Sequence, residues 1–363
     1  MLEKVKNLLP VTRRRHDDQI ANLTQQIERI MHESEERIIA RIIQADNGIN
    51  GNIDFKYQEL AEPRLNRIQE TIDTHDSHMK LMEWSLLRRD DEEIDQTKIR
   101  FFQSIPKATG KLHVLQNSCI ELLAEFDSFC KENNLQYWAC CGTLLGAIRH
   151  QGFIPWDDDI DLGMMREDIH KLKEALKSCS KLRLTTVYDH YVHSEQLRLR
   201  FKNSENPAFL DIFYFDYIST GKQSIYKQHQ ALREEMVEIM EADKTLENWR
   251  STPYIDSNNP MSPTIRKYID DAIGKEEELG LIVDRSQAKG IIWSLDNLYP
   301  NDRYEWAVPL EVIFPLHSST FETTTCQVPN NPDFLLNGEF GEDRKSTRLN
   351  SSHLWLSRMP SSA

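Results

Sequence analysis

The chain has 363 residues, of which 39% are hydrophobic and 28% charged, and its formal net charge is -14. That length suits two or three domains with a packed core. The acidic balance argues against general nucleic-acid binding, which needs a basic face; no apolar run reaches the ~18 residues of a bilayer span, and the N-terminus lacks a secretory leader.

Six cysteines occur without a C-x-x-C pair, and the adjacent Cys140 and Cys141 are poorly placed to bridge each other. Free thiols in a reducing cytoplasm are the expectation. Residues 1–106 are expected to be helical and partly coiled coil. Ile20, Leu23, Ile27 and Ile30 follow 3-4-3 spacing, but the seam fails at Ser34 and Arg37. The NGINGN stretch at 47–52 is a turn, and a second pattern runs through Leu65, Ile68 and Ile72, then Met79, Met82 and Leu86. Two readings stay open: a homo-oligomer or partner contact through these helices, or helices packed on the following domain. Ile105-Pro106 and Thr109-Gly110 put the domain boundary near residue 107.

Residues 107–342 read as an α+β domain, a mixed sheet flanked by helices. Leu112, Leu115, Cys119, Leu122, Leu123, Phe126 and Phe129 recur at helical spacing, and the helix ends near Asn133-Asn134. Residues 135–140 form a short aromatic strand. A Gly142-Thr143 turn leads into a short helix through His150, and Pro155 keeps 152–156 a loop. A strand starts at Asp159 and a helix at Arg166. Strands follow at 182–188, 196–202 and 208–218, then a long helix over about 225–249, a second helical region, and a mixed segment ending in FLLNGEFGE.

Asp157, Asp158, Asp159 and Asp161 crowd into five positions between apolar flanks. A strand has period two, so Asp159 and Asp161 share a face, roughly 6–7 Å apart. Two such carboxylates suit Mg²⁺, with Mn²⁺ as a substitute. An EF-hand fails here: its turn glycine would be Leu162 and its twelfth residue is Asp168. A third carboxylate is available in the apolar strand 208–218. Asp211 and Asp216 are five apart, so a regular strand cannot put both on one face. Asp211, between Leu210 and Ile212, needs a metal or a base role to justify its burial. Arg149 and Lys202 are candidates for phosphate contacts, against surface salt bridges for Lys202 and Arg200. Trp156 could stack a base or simply fill the core, and His150 could act as a base or hold a turn.

GTLLGAIRHQGFIPWDDDID, together with LQYWACC, MMRED, LDIFYFD, FPLHSSTFE, VPNNPDFL and FGE in order, resembles the LicD family, which includes fukutin-like proteins. The resemblance covers residues 112–342. It implies a nucleotidyltransferase fold and Mg²⁺-dependent transfer of phosphocholine or another phospho-alcohol. The donor would be a CDP-activated alcohol. The acceptor would be a sugar in a surface glycan such as lipopolysaccharide, capsule or teichoic acid. The implied location is the cytoplasm or the inner face of the membrane. By position, Gly142 and Thr143 correspond to the turn that approaches the donor phosphates, Asp159 and Asp161 to the metal-binding pair, and Asp211 to the third carboxylate. The alternatives are nucleotide-monophosphate transfer, or an inactive donor-binding domain on a coiled-coil scaffold. Residues 343–363 depart from all of this: DRKSTRLNSSH reads back codon by codon as a sequencing-library adapter, so the tail is expected to be artefact and the family-like domain to be cut short near Glu342.

Overall fold

The computed structural model describes residue 29 and residues 84–202, 206–219, 223–298 and 306–340. The coiled-coil seam and the adapter-like tail lie outside those residues. The chain divides into two compact units, Met1–Arg88 and Arg89–Ala363, and the sheet lies in the second. Among the described residues no helix is long and apolar enough to cross a membrane.

The second unit opens with α1 (Ile94–Gln103) and the long α2 (Gly110–Glu132). The 3–4 spacing of apolar residues in α2 buries Cys119, Leu122, Leu123, Phe126 and Cys130 on one face. There follow β1 (Trp138–Ala139), α3 (Cys141–His150), β2 (Asp161–Met165), α4 (Arg166–Leu176), β3 (Leu182–Asp189), β4 (Ser194–Phe201) and β5 (Leu210–Ile218). Next are α5 (Gln223–Ala242), α6 (Glu247–Ser251), β6 (Tyr254–Asp256), α7 (Ser262–Glu278), β7 (Gly290–Trp293), β8 (Ala307–Pro309) and α8 (Leu310–Ile313). The hairpin β9 (His317–Phe321) and β10 (Thr324–Val328) and the helix α9 (Pro332–Phe340) close the described chain.

The expected mixed sheet with flanking helices is present. It has eight strands, in the order β1-β2-β5-β4-β3-β6, with β7 and β8 branching from β5. Every residue of β2 and β5 is buried, as a continuous apolar run predicts for central strands. β5 runs parallel to β2, with β4 along its first half and β7 along its second. An aromatic chain through Trp138, Phe215, Trp293 and Trp306, with successive centroids 5.0, 5.3 and 5.1 Å apart, fills the core beside these strands. At Gly163 of β2 an added Cβ would lie 2.5 Å from Cε2 of Trp138. The glycine is what lets the indole lie across the strand.

Three expected elements differ. The strand at 135–140 shrinks to two residues at the sheet edge. The long helix stops at Ala242, where the Asp243 side chain accepts from Thr245 N at 2.8 Å and starts a 3-10 turn instead. The strand expected from Asp159 begins at Asp161, although Ile160 O already accepts from Asp211 N at 2.9 Å.

Candidate active site

The parallel register of β2 and β5 sets Asp161 directly beside Asp211. Asp159 precedes β2 by two residues and points to the same place. Carboxylate oxygens of the three lie within 4.8 Å of one another, and all three residues are buried, Asp161 completely. Residues 50 apart in sequence thus form one group through the register of the two strands. Asp157 and Asp158 form a second cluster with Asp159. The Asp157 carbonyl is held by the Gln116 amide of α2 at 2.7 Å, which fixes the loop ahead of the triad. Octahedral Mg²⁺ separates its ligand oxygens by about 3–4 Å. A set of hard carboxylate oxygens at this spacing fits such an ion with slight closure.

The turn before α3 differs from expectation. Cys140 is extended, Cys141 takes the left-handed conformation at φ 50°, and Gly142 and Thr143 already belong to the first helical turn. The bend expected at Gly142 is therefore made one residue earlier. Thr143 Oγ1 accepts from the backbone N–H of Asp161 at 2.8 Å, and Cys140 N donates to Asp161 O at 3.1 Å. The start of α3 thereby fixes the backbone that carries the central aspartate. A hydroxyl that accepts one bond keeps its own proton to donate. The loop after α3 folds back over it: at Gly146 a Cβ would lie 2.5 Å from the Gly152 carbonyl oxygen. Glu322, in the β9–β10 turn, clamps that loop, accepting from Phe153 N at 3.2 Å while its own N–H donates to Gln151 O at 2.7 Å.

The other expected residues scatter. Arg149 is buried with its guanidinium 4.8 Å from the Phe102 ring centroid, and its Nε donates to His150 Nε2 at 3.0 Å. Burial pushes its pKa down to about 10. Burial, with the charge of Arg149, pushes His150 down to about 4. Trp156 is half-buried and packs on the same Phe102, at 6.2 Å between centroids, which is the core role. Lys202 lies beyond the end of β4, where its Nζ donates to the Cys179 carbonyl at 3.0 Å. It is four residues, about 13 Å of strand, from the position that faces Asp211. Asp216 faces away from the triad and is gripped by the Arg166 guanidinium through bonds of 2.7 and 2.8 Å.

Two further side chains belong to the site. Arg198 is the register partner of Asp211 and donates from Nε to its Oδ1 at 3.2 Å. The basic face of β4 was visible in the sequence, but which of its cations meets Asp211 depends on register. Glu339 of α9, a helix packed on α3, comes from the far end of the chain. Burial pushes its carboxyl up to about 8; a hydrogen bond with the Cys141 thiol opposes the shift, and the negative charge of Asp161 adds to it. No local pattern marked Glu339 beyond its place in the FLLNGEFGE segment.

Comparison with known proteins bears out the LicD resemblance for the part that carries the triad. Residues 134–250 match the family described as LicD/FKTN/FKRP, nucleotidyltransferase domain. The lipopolysaccharide cholinephosphotransferase LicD of Haemophilus influenzae is 30% identical over 137 residues, 32% of this chain and 49% of that protein. An uncharacterized protein of Rickettsia prowazekii is 36% identical over 107 residues, 30% of this chain and 36% of that one. Human ribitol 5-phosphate transferase FKRP is 33% identical over 84 residues, 22% of this chain and 17% of that protein. The chain therefore spans half or less of the length of each of these relatives.

Proposed function

We propose that residues 107–342 form a phosphotransferase that moves a phospho-alcohol from a CDP-activated donor to a sugar hydroxyl of a glycan. The observation that carries the reading is the buried triad of Asp159, Asp161 and Asp211, inside the segment that matches the LicD/FKTN/FKRP domain. The names of two relatives, a cholinephosphotransferase and a ribitol phosphate transferase, support a substituted phosphate as the group that moves.

Asp159, Asp161 and Asp211 would hold Mg²⁺ or Mn²⁺. When bound, the cation supplies charge neutralisation at the donor diphosphate as CMP departs. Thr143 and Cys140 hold the backbone of Asp161 in place, so the carboxylate is aimed before donor arrives. Arg198 orients Asp211, which either completes the cation site or accepts the proton of the attacking sugar hydroxyl. The first amides of α3, at Gly142 and Thr143, carry the positive end of the helix and suit a donor phosphate.

The test is incubation with CDP-choline or CDP-ribitol and a glycan acceptor, with and without Mg²⁺, read by product mass. An acceptor heavier by the phospho-alcohol supports the proposal. An acceptor heavier by CMP would replace it with nucleotide-monophosphate transfer. Binding of the donor with no transfer under any condition would favour the inactive scaffold. Asp159→Asn and Asp161→Asn are each expected to lower turnover at least a hundredfold; full turnover in both overturns the mechanism.

A further inference from the structure

A second group of metal-ligating side chains lies at the opposite end of β4 from Lys202. The hairpin that joins β3 to β4 reads Asp189-His190-Tyr191-Val192-His193-Ser194, and both imidazoles turn toward the C-terminal end of α5. His190 Nε2 lies 2.9 Å and His193 Nε2 2.8 Å from the same oxygen, Oε1 of Glu241. All three ligand atoms fall within 4.8 Å of one another. His193 begins five residues before Arg198, which puts this cluster about 16 Å along the strand from the aspartate triad.

The surroundings hold the three groups in place. His193 takes the left-handed conformation at φ 48°, which a residue with a Cβ adopts only when its surroundings enforce it. His190 N donates to Pro253 O at 2.9 Å, and Trp249 Nε1 donates to the same carbonyl at 3.0 Å. The Trp249 indole stands edge-on to both imidazoles, with centroids 5.1 and 5.8 Å away. The Arg233 guanidinium binds Val192 O at 2.7 Å and steadies the hairpin tip. Arg250 pairs with Oε2 of Glu241, so Oε1 is the oxygen turned to the imidazoles.

Two Nε2 atoms aimed at one carboxylate oxygen have two explanations. Each imidazole can carry its proton there and donate it. Otherwise both lone pairs, with the carboxylate, converge on a cation. Tetrahedral Zn²⁺ with bonds of 2.0–2.2 Å places its ligand atoms about 3.3 Å apart, inside the 4.8 Å that bounds these three. Two imidazoles and a carboxylate match the donor set of three-ligand zinc sites, whose fourth position takes water.

We propose that His190, His193 and Glu241 bind one Zn²⁺, or another imidazole-seeking divalent transition metal, and so pin the β3–β4 hairpin to the end of α5. This site is chemically unlike the triad. Carboxylates alone suit Mg²⁺, whereas imidazoles raise affinity along the series from Mn²⁺ to Cu²⁺ and Zn²⁺.

The test uses full-length chain made without a histidine tag, stripped with chelator, loaded with ZnCl₂ and dialysed. Asp159→Asn/Asp161→Asn is run in parallel to remove the triad as a zinc ligand. One zinc per chain by elemental analysis is expected in both. His190→Asn and Glu241→Gln are each expected to lower retention at least tenfold. ZnCl₂ should raise the melting temperature of the triad variant, MgCl₂ should not, and His193→Asn should abolish the zinc effect. Should one histidine variant fail to fold, the other histidine and Glu241→Gln decide the question. No retained zinc in the triad variant, or equal retention after His190→Asn and Glu241→Gln, overturns the proposal in favour of a hydrogen-bonded histidine–glutamate cluster.

Discussion

Asp161→Asn should stabilise the protein in chelator while abolishing transfer. Asp161 is fully buried, with its carboxylate within 4.8 Å of those of Asp159 and Asp211. At an effective dielectric constant near 20, each like-charge pair at that distance repels by about 3.5 kcal/mol. The relief cannot reach twice that figure. The carboxylates can relax apart, which lowers it. Arg198 on Asp211 offsets part of the repulsion as well. A gain of about 1–4 kcal/mol remains, because asparagine keeps the shape and its amide can donate to the flanking carboxylates. Urea unfolding of both proteins in EDTA, then in excess MgCl₂, reads the effect. In EDTA the variant should unfold at higher urea with an unchanged slope. MgCl₂ should raise the wild type alone and narrow or reverse the gap. A variant no more stable than wild type in EDTA would refute the claim that this site is strained without a cation.

Arg198→Met should cut transfer at least tenfold, because Asp211 loses the guanidinium that orients it, whereas Lys202→Met should stay within threefold of wild type, because Lys202 serves the Cys179 carbonyl; initial rates with a CDP-alcohol donor separate the two. Gly163→Ala would bring a Cβ to 2.5–2.8 Å from three atoms of the Trp138 indole, and is expected to cost about 2–3 kcal/mol through overpacking, seen as a lower melting temperature. Asp296 is completely buried, which opposes ionisation, yet Arg166 and Arg266 hold its carboxyl well below the usual carboxylate range. Its folded pKa is depressed, so its contribution is present above about pH 3.9, the unfolded value, and fades as pH falls below that. Asp296→Asn should therefore be less stable than wild type by about 3–5 kcal/mol at pH 7, with the difference shrinking below pH 4 in urea titrations; an unchanged difference at pH 3 contradicts this assignment.

Strand periodicity made half of the site legible before any coordinates. Asp159 and Asp161, two apart, meet as expected, although Asp159 lies ahead of β2. Asp211 and Asp216 are five apart and part, one to the triad and one to Arg166. The strongly apolar 208–218 stretch announced a central strand, and β5 is buried along its whole length. What periodicity cannot give is register. Arg198, Arg200 and Lys202 share one face of β4, and only the pairing of Arg198 with Asp211 selects among them. Distance along the chain hid Glu339, which the packing of α9 on α3 brings to the Cys141 thiol and into the field of the Asp161 charge. Local bias also misled at the turn before α3. Glycine is the residue that tolerates positive φ most cheaply, so Gly142 drew the bend, but Cys141 makes it because Thr143 must already be helical to hold Asp161 N.

The two sides of β5 show why acidic residues of one strand reach different ends. On one side Asp216 and Asp296 share Arg166, and Asp296 and Glu195 share Arg266, all within a buried network closed by Ser294 and Tyr214. Each acid there lies against a guanidinium, so the network is complete in the apo chain and its loss is a loss of fold. On the other side Asp159, Asp161 and Asp211 lie against one another, and Arg198 grips Asp211. The sheet, the start of α3 and the clamped loop hold those carboxylates together, and like charges at that distance repel. Asp211 and Asp216 of one strand each meet a guanidinium, but only Asp211 shares its place with two further carboxylates, inside the segment that matches the LicD/FKTN/FKRP domain.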